Sequence, residues 1–326
     1  MEPRRLGRSG LEVSPIALGT MMFGAWGNTD EAECRRMVDV ALDAGITLFD
    51  TADIYDDGTS ERILGEALHE KRDRVVLATK VGNAMGGDPD RRGLSRRWIT
   101  QACEDSLRRL QVDHIDLYQM HRPDPDVPIG ETIAVFDDLV AAGKIGAYGT
   151  STFTAVQLRE VVDTATALGA VLPTSEQPPY SALARGIERD VLGVCRTEEL
   201  GVIAWAPLNG GWLTGKYQRD AGDPDNRANR QGDHFDFKDE AMRAEKLAAV
   251  DALTTIAGDH GLTIKQLALA FVLDDQAVSA AIIGPRTLDQ LTDLLAAGAP
   301  ALPPDARAAM DAVVAPGRNI NPYDAG

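Results

Sequence analysis

The chain has 326 residues and a formal net charge of −17, from 33 basic and 50 acidic residues. Such an excess of negative charge repels nucleic acid and anionic membranes, so we expect neither as a general partner. The three cysteines are far apart and show no paired spacing, which fits a reducing compartment and predicts no metal site. No apolar run approaches the roughly 20 residues of a membrane span, and we expect a cytoplasmic protein.

A short hairpin is predicted first, followed by a regular alternation of apolar strands and helices. Residues 4–14 flank Arg8-Ser9-Gly10, which is typical of a hairpin turn. Apolar runs then predict strands at 16–18, 46–49, 75–79, 115–120, 145–148, 172–176, 202–205 and 280–283. Helices are predicted at 30–43, 60–68, 95–110, 129–142, 154–168, 185–200 and 288–297, with two extra helices at 240–260 and 263–273.

These strands indicate a closed barrel. They are apolar throughout, as expected of parallel strands that are buried on both faces. Eight such units predict a (β/α)8 TIM barrel, formed by residues 1–326 as one domain. The competing fold, an open doubly wound sheet, normally carries GxGxxG after its first strand, and that motif is absent. The polar stretch 209–239 lies inside the repeat and favours an active-site lid over a linker.

Three consecutive predicted strands end in chemically active side chains, Asp50, Lys80 and His121, and Tyr55 follows Asp50 by five residues. Strand ends are neighbours on a barrel, and chemistry in this fold occurs there. A buried lysine needs a partner, for which Asp50 is available, and the cation would lower the pKa of Tyr55. His121 could donate to the Tyr55 oxygen or to a substrate carbonyl. Together these side chains predict a tyrosine acid–base centre.

Three motifs carry a resemblance to a known family: Phe49-Asp50-Thr51-Ala52-Asp53-Ile54-Tyr55, Ala78-Thr79-Lys80, and the run from Asp116 to Asp124. The chain resembles the aldo-keto reductases, in the branch that includes potassium-channel β subunits and aryl-alcohol dehydrogenases. The resemblance implies an oxidoreductase that reduces an aldehyde or ketone with NADPH, bound without a Rossmann domain. Hydride would come from nicotinamide C4 and the proton from Tyr55. The implied catalytic residues are Asp50, Tyr55, Lys80 and His121.

The resemblance also implies a cofactor site. Arg286 is the candidate for the 2′-phosphate, since a guanidinium binds phosphate bidentately. The family's usual Asn after the carboxamide-binding serine is Thr152 here. The implied residues are Gly19, Thr20, Met21 and Asp50 near the nicotinamide, Ser151 and Gln177 at its carboxamide, Trp205 on its ring, Ala206, Pro207, Leu208, Gly210, Leu213 and Lys216 on the pyrophosphate side, and Gly284, Arg286, Gln290 and Asp293 at the adenosine end. Loop positions make Trp26, Met85 and Trp212 candidate walls of the substrate pocket.

Other functions remain open at this point. Gly93-Leu94-Ser95-Arg96 and Arg122-Pro123-Asp124-Pro125 resemble potassium-channel β subunits, so a cofactor-sensing regulatory subunit with little turnover is one alternative. A Schiff-base aldolase that uses Lys80 is another. Residues 210–216 have Walker A spacing, but Tyr217 replaces the Mg²⁺-binding hydroxyl, which disfavours a P-loop NTPase. The sequence is compatible with an oligomer.

Overall fold

The computed structural model describes residues 1–217 and 239–325. Eight parallel strands form a closed barrel in which the last strand pairs with both the first and the seventh. The predicted (β/α)8 fold is therefore confirmed. The hairpin strands are β1 (Arg4–Arg5) and β2 (Glu12–Val13), and the barrel strands are β3 (Ile16–Gly19), β4 (Leu48–Asp50), β5 (Val76–Val81), β6 (Ile115–Met120), β7 (Ile145–Ser151), β8 (Ser175–Gln177), β9 (Gly201–Ala204) and β10 (Val278–Ile283).

Helices follow most barrel strands, and several of them begin at a polar side chain that caps the first turn. Asp30 accepts a hydrogen bond from the Glu33 amide, and Thr154 with Gln157 forms a reciprocal capping box. The helices of the described chain span Glu31–Asp43, Thr59–Leu68, Arg96–Leu110, Ile129–Ala141, Ala155–Leu168, Val191–Thr197, Glu240–Asp259, Ile264–Asp274, Leu288–Ala297 and Pro304–Val313.

The structure differs from the predicted helix at 185–200. A 3-10 turn, Gly186–Glu188, is separated from the helix Val191–Thr197 by non-helical backbone at Asp190. The C-terminal tail holds the start of this segment, because the Arg185 amide donates to the Arg318 carbonyl and the Gly186 amide to the Asn319 side chain. The helix Pro304–Val313, which leads into this tail, was not predicted from the sequence.

Side chains inside the barrel follow the two-residue period of the strands. Leu48, Ala78, Leu117 and Ile203 form an apolar interior layer that also contains Leu6 and Val13 of the hairpin. The hairpin therefore closes the amino-terminal end of the barrel. Gly7 makes this possible, since its φ is +50° and a Cβ there would collide with the backbone of Thr174 and Gly201. The opposite end of the barrel is left for polar side chains.

Residues 209–214 of the predicted lid form a 3-10 turn. Positions 218–238 lie outside the described residues, so closure of this segment stays a prediction. In the described ranges, no helix is long and apolar enough to cross a bilayer. Within the same ranges, no group of His, Cys, Asp and Glu side chains is arranged to hold a metal ion.

Candidate active site

A polar layer lies directly above the apolar interior, at the carboxyl ends of the strands. Asp50, Lys80 and Gln119 each stand two residues after an interior core residue, so they share its inward direction. All three side chains are almost completely buried. Gln177 at the end of β8 joins them. The inward-facing side chains therefore change from apolar to polar over two residues along these strands, and the polar ones form the floor of the site.

Lys80 is the centre of this floor. Its Nζ donates to Asp50 Oδ1 at 2.5 Å, to the Thr51 carbonyl at 2.8 Å and to the Tyr55 hydroxyl at 3.2 Å. Its three protons are thus directed at three acceptors. Burial opposes the charge, but Asp50 and Tyr55 outweigh it and raise the pKa of Lys80 above its ordinary 10.5. Lys80 is therefore a cation at neutral pH, in contact with the Tyr55 phenol.

The second oxygen of Asp50 is held by two amides. Gln177 Nε2 donates to Asp50 Oδ2 at 2.8 Å, and Gln119 Nε2 donates at 3.3 Å. Gln177 also reaches Gln119 Oε1 at 3.2 Å. Sequence reasoning missed Gln119, although its place between Leu117 and His121 in the two-residue period put it on the inward face. This amide pair fixes the carboxylate that holds Lys80.

Tyr55 sits between the floor and the open cavity. Its ring meets His121 edge-on, with centroids 5.9 Å apart, and Trp26 at 6.1 Å. The expected fall in the pKa of Tyr55 is not found: enclosure raises it above 10.0, and Lys80 only partly offsets this. Burial, reinforced by Lys80 and Arg122, holds the pKa of His121 well below 6.5. Tyr55 is thus a phenol and His121 a neutral imidazole at neutral pH.

The backbone after Tyr55 is strained. Asp56 and Asp57 adopt left-handed φ angles of +49° and +50°, which are unusual for residues with a Cβ. Asp56 Oδ2 accepts the Ala25 amide at 2.8 Å and so ties this turn to the loop that carries Trp26. Strained backbone of this kind is common around functional sites, where it positions a reactive side chain.

A cavity of about 1060 Å³ opens above Tyr55. It extends past the ends of β7, β8 and β9 to the loop after β10. Of the residues predicted for the site, the cavity is lined by Gly19, Met21, Trp26, Asp50, Tyr55, His121, Ser151, Gln177, Trp205, Ala206, Pro207, Leu208, Gly210, Lys216, Gly284, Arg286, Gln290 and Asp293.

The remaining predicted residues lie behind the wall. Lys80 is beneath Tyr55, and Thr20 is buried with its hydroxyl 2.8 Å from that of Ser60. Met85, predicted as a pocket wall, is buried beside Arg91. Leu213 is also buried away from the cavity, as is Trp212, whose ring packs on Tyr217. Without a rearrangement, none of these five side chains could touch a ligand in the cavity.

Basic side chains line the far end of the cavity. Arg286 lies just before the helix Leu288–Ala297, whose amino end favours an anion. No carboxylate of the described chain pairs with its guanidinium. Lys216 also lines this part of the cavity, and Lys265 does so while paired with Asp293 at 2.5 Å. Ser151 and Trp205, nearer Tyr55, offer a hydroxyl and an aromatic face. The cavity thus has cations at one end and the tyrosine centre at the other.

The cavity also contains residues that sequence reasoning missed. Arg122 and Asn83 line it beside the tyrosine centre. Lys246 is buried and bonds to Asn209 Oδ1 at 3.0 Å and to Asp324 Oδ2 at 2.9 Å. Asp324 belongs to the C-terminal turn, which folds back to this end of the barrel. Contacts between such distant segments leave no local pattern in the sequence.

Comparison with known proteins agrees with this geometry. The model of the aldo/keto reductase family matches residues 15–315. The chain is 39% identical to the uncharacterized oxidoreductase YrpG of Bacillus subtilis, over 91% of each chain. It is also 39% identical to the aldo-keto reductase YhdN of the same organism, over 90% of this chain and 88% of the relative.

A third relative is named as a channel subunit and not as an oxidoreductase. The probable voltage-gated potassium channel subunit beta of Arabidopsis thaliana is 34% identical, over 90% of each chain. The resemblance inferred from the motifs is therefore confirmed. The chain belongs to the aldo/keto reductase family and is an NAD(P)H-dependent oxidoreductase.

Proposed function

We propose that the protein reduces an aldehyde or ketone to an alcohol with NADPH, and that Tyr55 donates the proton. The contact between the Lys80 ammonium and the Tyr55 hydroxyl, at the floor of an open cavity, carries this proposal. A protonated phenol beside a fixed cation can give its proton to a developing alkoxide, and the cation stabilises the phenolate that remains. NADPH, when bound, supplies the hydride.

Each neighbouring side chain then has a defined task. Lys80 stabilises the Tyr55 phenolate, and Asp50 holds Lys80 in place with help from Gln119 and Gln177. His121 is neutral and can donate one hydrogen bond to a carbonyl oxygen without competing for the proton. Ser151 and Trp205 are proposed to hold the nicotinamide, and Arg286 to hold the 2′-phosphate.

The surroundings of Lys80 argue against an aldolase. A Schiff base needs a neutral amine that a substrate can reach. Lys80 is fully buried, does not line the cavity and has a raised pKa. Its amine is therefore neither exposed nor nucleophilic.

A scan of aldehydes, ketones and keto-sugars for NADPH oxidation tests the proposal directly. We expect turnover of at least one simple aldehyde, with one alcohol formed for each NADPH consumed. Absence of turnover across the scan, despite tight NADPH binding, would argue against a reductase.

The pH profile gives an independent check. The pKa of Tyr55 is raised above 10.0 and that of His121 is lowered well below 6.5, so neither group changes charge between these values. The rate of aldehyde reduction should therefore show no inflection near pH 6.5, and should fall only as the phenol ionises at high pH. Alcohol oxidation, which needs the phenolate, should rise with pH instead. An inflection near pH 6.5 that disappears in His121→Asn would contradict this assignment.

Replacing Arg286 by alanine tests the choice of cofactor. Loss of charged hydrogen bonds to the 2′-phosphate should weaken NADPH binding about 10- to 100-fold. NADH lacks that phosphate, so its dissociation constant should change less than about threefold. Fluorescence titration of both cofactors gives the comparison, with the exposed Arg92→Ala as the control. Equal losses for both cofactors would assign Arg286 another role.

The identity to the Arabidopsis channel subunit favours one second candidate, a cofactor-sensing subunit of a larger assembly. In such a subunit the four catalytic residues would be present, but aldehyde turnover would be slow. Affinity capture with the full chain, with and without NADPH, distinguishes the two: a stoichiometric protein partner with negligible aldehyde turnover would favour the regulatory role.

A further inference from the structure

Arg122 lines the cavity and has no role in the chemistry proposed above. It directly follows His121 after the end of β6 and lines the cavity together with Tyr55, Trp26 and Asn83. Its charge is close enough to the active site to lower the pKa of both Tyr55 and His121. A carbonyl compound bound at Tyr55 therefore lies within the field of this guanidinium.

One hydrogen bond holds the guanidinium in place. Arg122 Nη1 donates to Thr152 Oγ1. Thr152 is fixed in turn, since its φ is +60° and its amide donates to the Gln177 carbonyl at 3.2 Å. A neutral hydroxyl positions the guanidinium without cancelling its charge. The other N–H groups of the guanidinium have no partner among residues 1–217 and 239–325, and the side chain lines the cavity.

The guanidinium of Arg122 differs from other buried or half-buried guanidinium groups in the described part of the chain, because no carboxylate there pairs with it. In the described ranges, no carboxylate lies within ion-pair distance of it. By contrast, Arg62 pairs with Glu31, and Arg109 with Glu61. Asp50, the carboxylate of the polar floor, is paired with Lys80.

Among residues 1–217 and 239–325, Glu176 is the one carboxylic acid whose charge acts on Arg122, and its side chain does not line the cavity. Its carboxyl group is buried and accepts hydrogen bonds from the Thr150 hydroxyl and the Phe153 amide. Burial raises the pKa of Glu176 to about 7. Glu176 is therefore only a partial counter-charge. Burial also lowers the pKa of Arg122, which reflects the loss of water around the guanidinium.

A partly dehydrated cation that faces a cavity favours an anionic ligand. The protein carries a net charge of −17, so an anionic substrate would otherwise be repelled. The remaining N–H groups of a guanidinium match the two oxygens of a carboxylate. A phosphate dianion would call for a second cation here, whereas the Lys80 charge is already matched by Asp50.

We propose that Arg122 is a specificity-determining residue that binds the carboxylate of an aldehyde or ketone acid, so that oxo-acids are the preferred substrate class. Carboxylate recognition by Arg122 presupposes the proposed reductase activity and adds the chemical class of the substrate to it.

The test compares two aldehydes that differ in one charge, succinic semialdehyde and its methyl ester, methyl 4-oxobutanoate. In Arg122→Gln, kcat/KM for succinic semialdehyde should fall about 10- to 100-fold, mainly through KM, because a charged hydrogen-bonded contact is lost. For the neutral ester it should change less than about threefold. Arg122→Lys keeps the charge but loses the paired N–H donors, so it should retain only part of the preference. The exposed Arg92→Gln is the matched control and should change neither substrate.

Three results would overturn the inference. Equal losses for acid and ester would make Arg122 a general structural residue. A higher NADPH dissociation constant in Arg122→Gln, with both substrates affected alike, would show that Arg122 contacts the cofactor. A greater dependence on Arg122 for glyceraldehyde 3-phosphate than for succinic semialdehyde would replace the carboxylate by a phosphate.

Failure of the reductase itself is separable from failure of this inference. Turnover of the neutral ester by the unaltered protein tests the reductase without involving Arg122. If neither aldehyde is turned over, calorimetry with succinate in the presence of NADP⁺ decides the role of Arg122. Succinate should bind the unaltered protein and bind Arg122→Gln at least about tenfold more weakly; equal binding would refute carboxylate recognition.

Discussion

Replacing Tyr55 by phenylalanine should lower kcat for aldehyde reduction by about 10²- to 10⁴-fold, the usual contribution of a positioned general acid. The variant loses the hydroxyl that Lys80 contacts but keeps the ring that packs against His121 and Trp26. The NADPH dissociation constant should therefore stay within about threefold of its original value. Steady-state kinetics with one neutral aldehyde, together with cofactor titration, measures both quantities.

Tyr118→Phe provides a matched control. Tyr118 is a fully buried tyrosine on β6 that points away from the barrel interior and does not line the cavity. Its hydroxyl has no hydrogen-bond partner among the described residues. Loss of this hydroxyl should leave kcat unchanged. If Tyr55→Phe reduced an aldehyde at a rate close to that of the Tyr118→Phe control, Tyr55 would not be the proton donor.

Replacing Lys80 by methionine should lower the free energy of unfolding by about 3–5 kcal/mol, because it leaves the buried Asp50 carboxylate without its counter-charge. The amides of Gln119 and Gln177 remain to bind that carboxylate and should keep the loss within this range. Urea denaturation of the unaltered protein and the variant gives the difference.

Two further variants separate the charge effect from a packing effect. Asp50→Asn combined with Lys80→Met removes both charges and should be more stable than Lys80→Met alone. Arg96→Met breaks the exposed pair with Asp138 and should cost less than about 1 kcal/mol. A double variant no more stable than Lys80→Met, or a loss at Lys80 as small as at Arg96, would show that the buried charge is not the cause.

Asp50, Lys80 and His121 could be predicted from the sequence because each directly follows an apolar run. Asp50 and Lys80 terminate such runs, and parallel strands in a barrel place these ends side by side. Gln119 shares their inward direction, but it was missed because it lies within a run rather than after it. Arg122 was noted only as part of a family-like motif, since nothing in that motif shows that no carboxylate of residues 1–217 and 239–325 pairs with it.

The ionisation of Tyr55 shows where reasoning from residue types stops. A lysine beside a phenol lowers its pKa, and that contribution is present in the structure. Enclosure by the surrounding loops raises the pKa by more, and the amount of enclosure depends on how those loops fold. The same limit applies to Met85 and Trp212, which loop position places near the cavity and packing places behind its wall.

Apolar periodicity and strand-end chemistry were enough to predict the eight-stranded barrel and the tyrosine centre, because both depend on spacing within short segments. The hydrogen bond at the start of segment 185–200 and the position of Lys246 against Asp324 depend on the C-terminal tail, more than 70 residues distant. Whether a carboxylate pairs with Arg122 likewise depends on which acids other segments bring near it. Such properties arise only when the barrel closes, since closure decides which side chains are buried together and which remain open to a ligand.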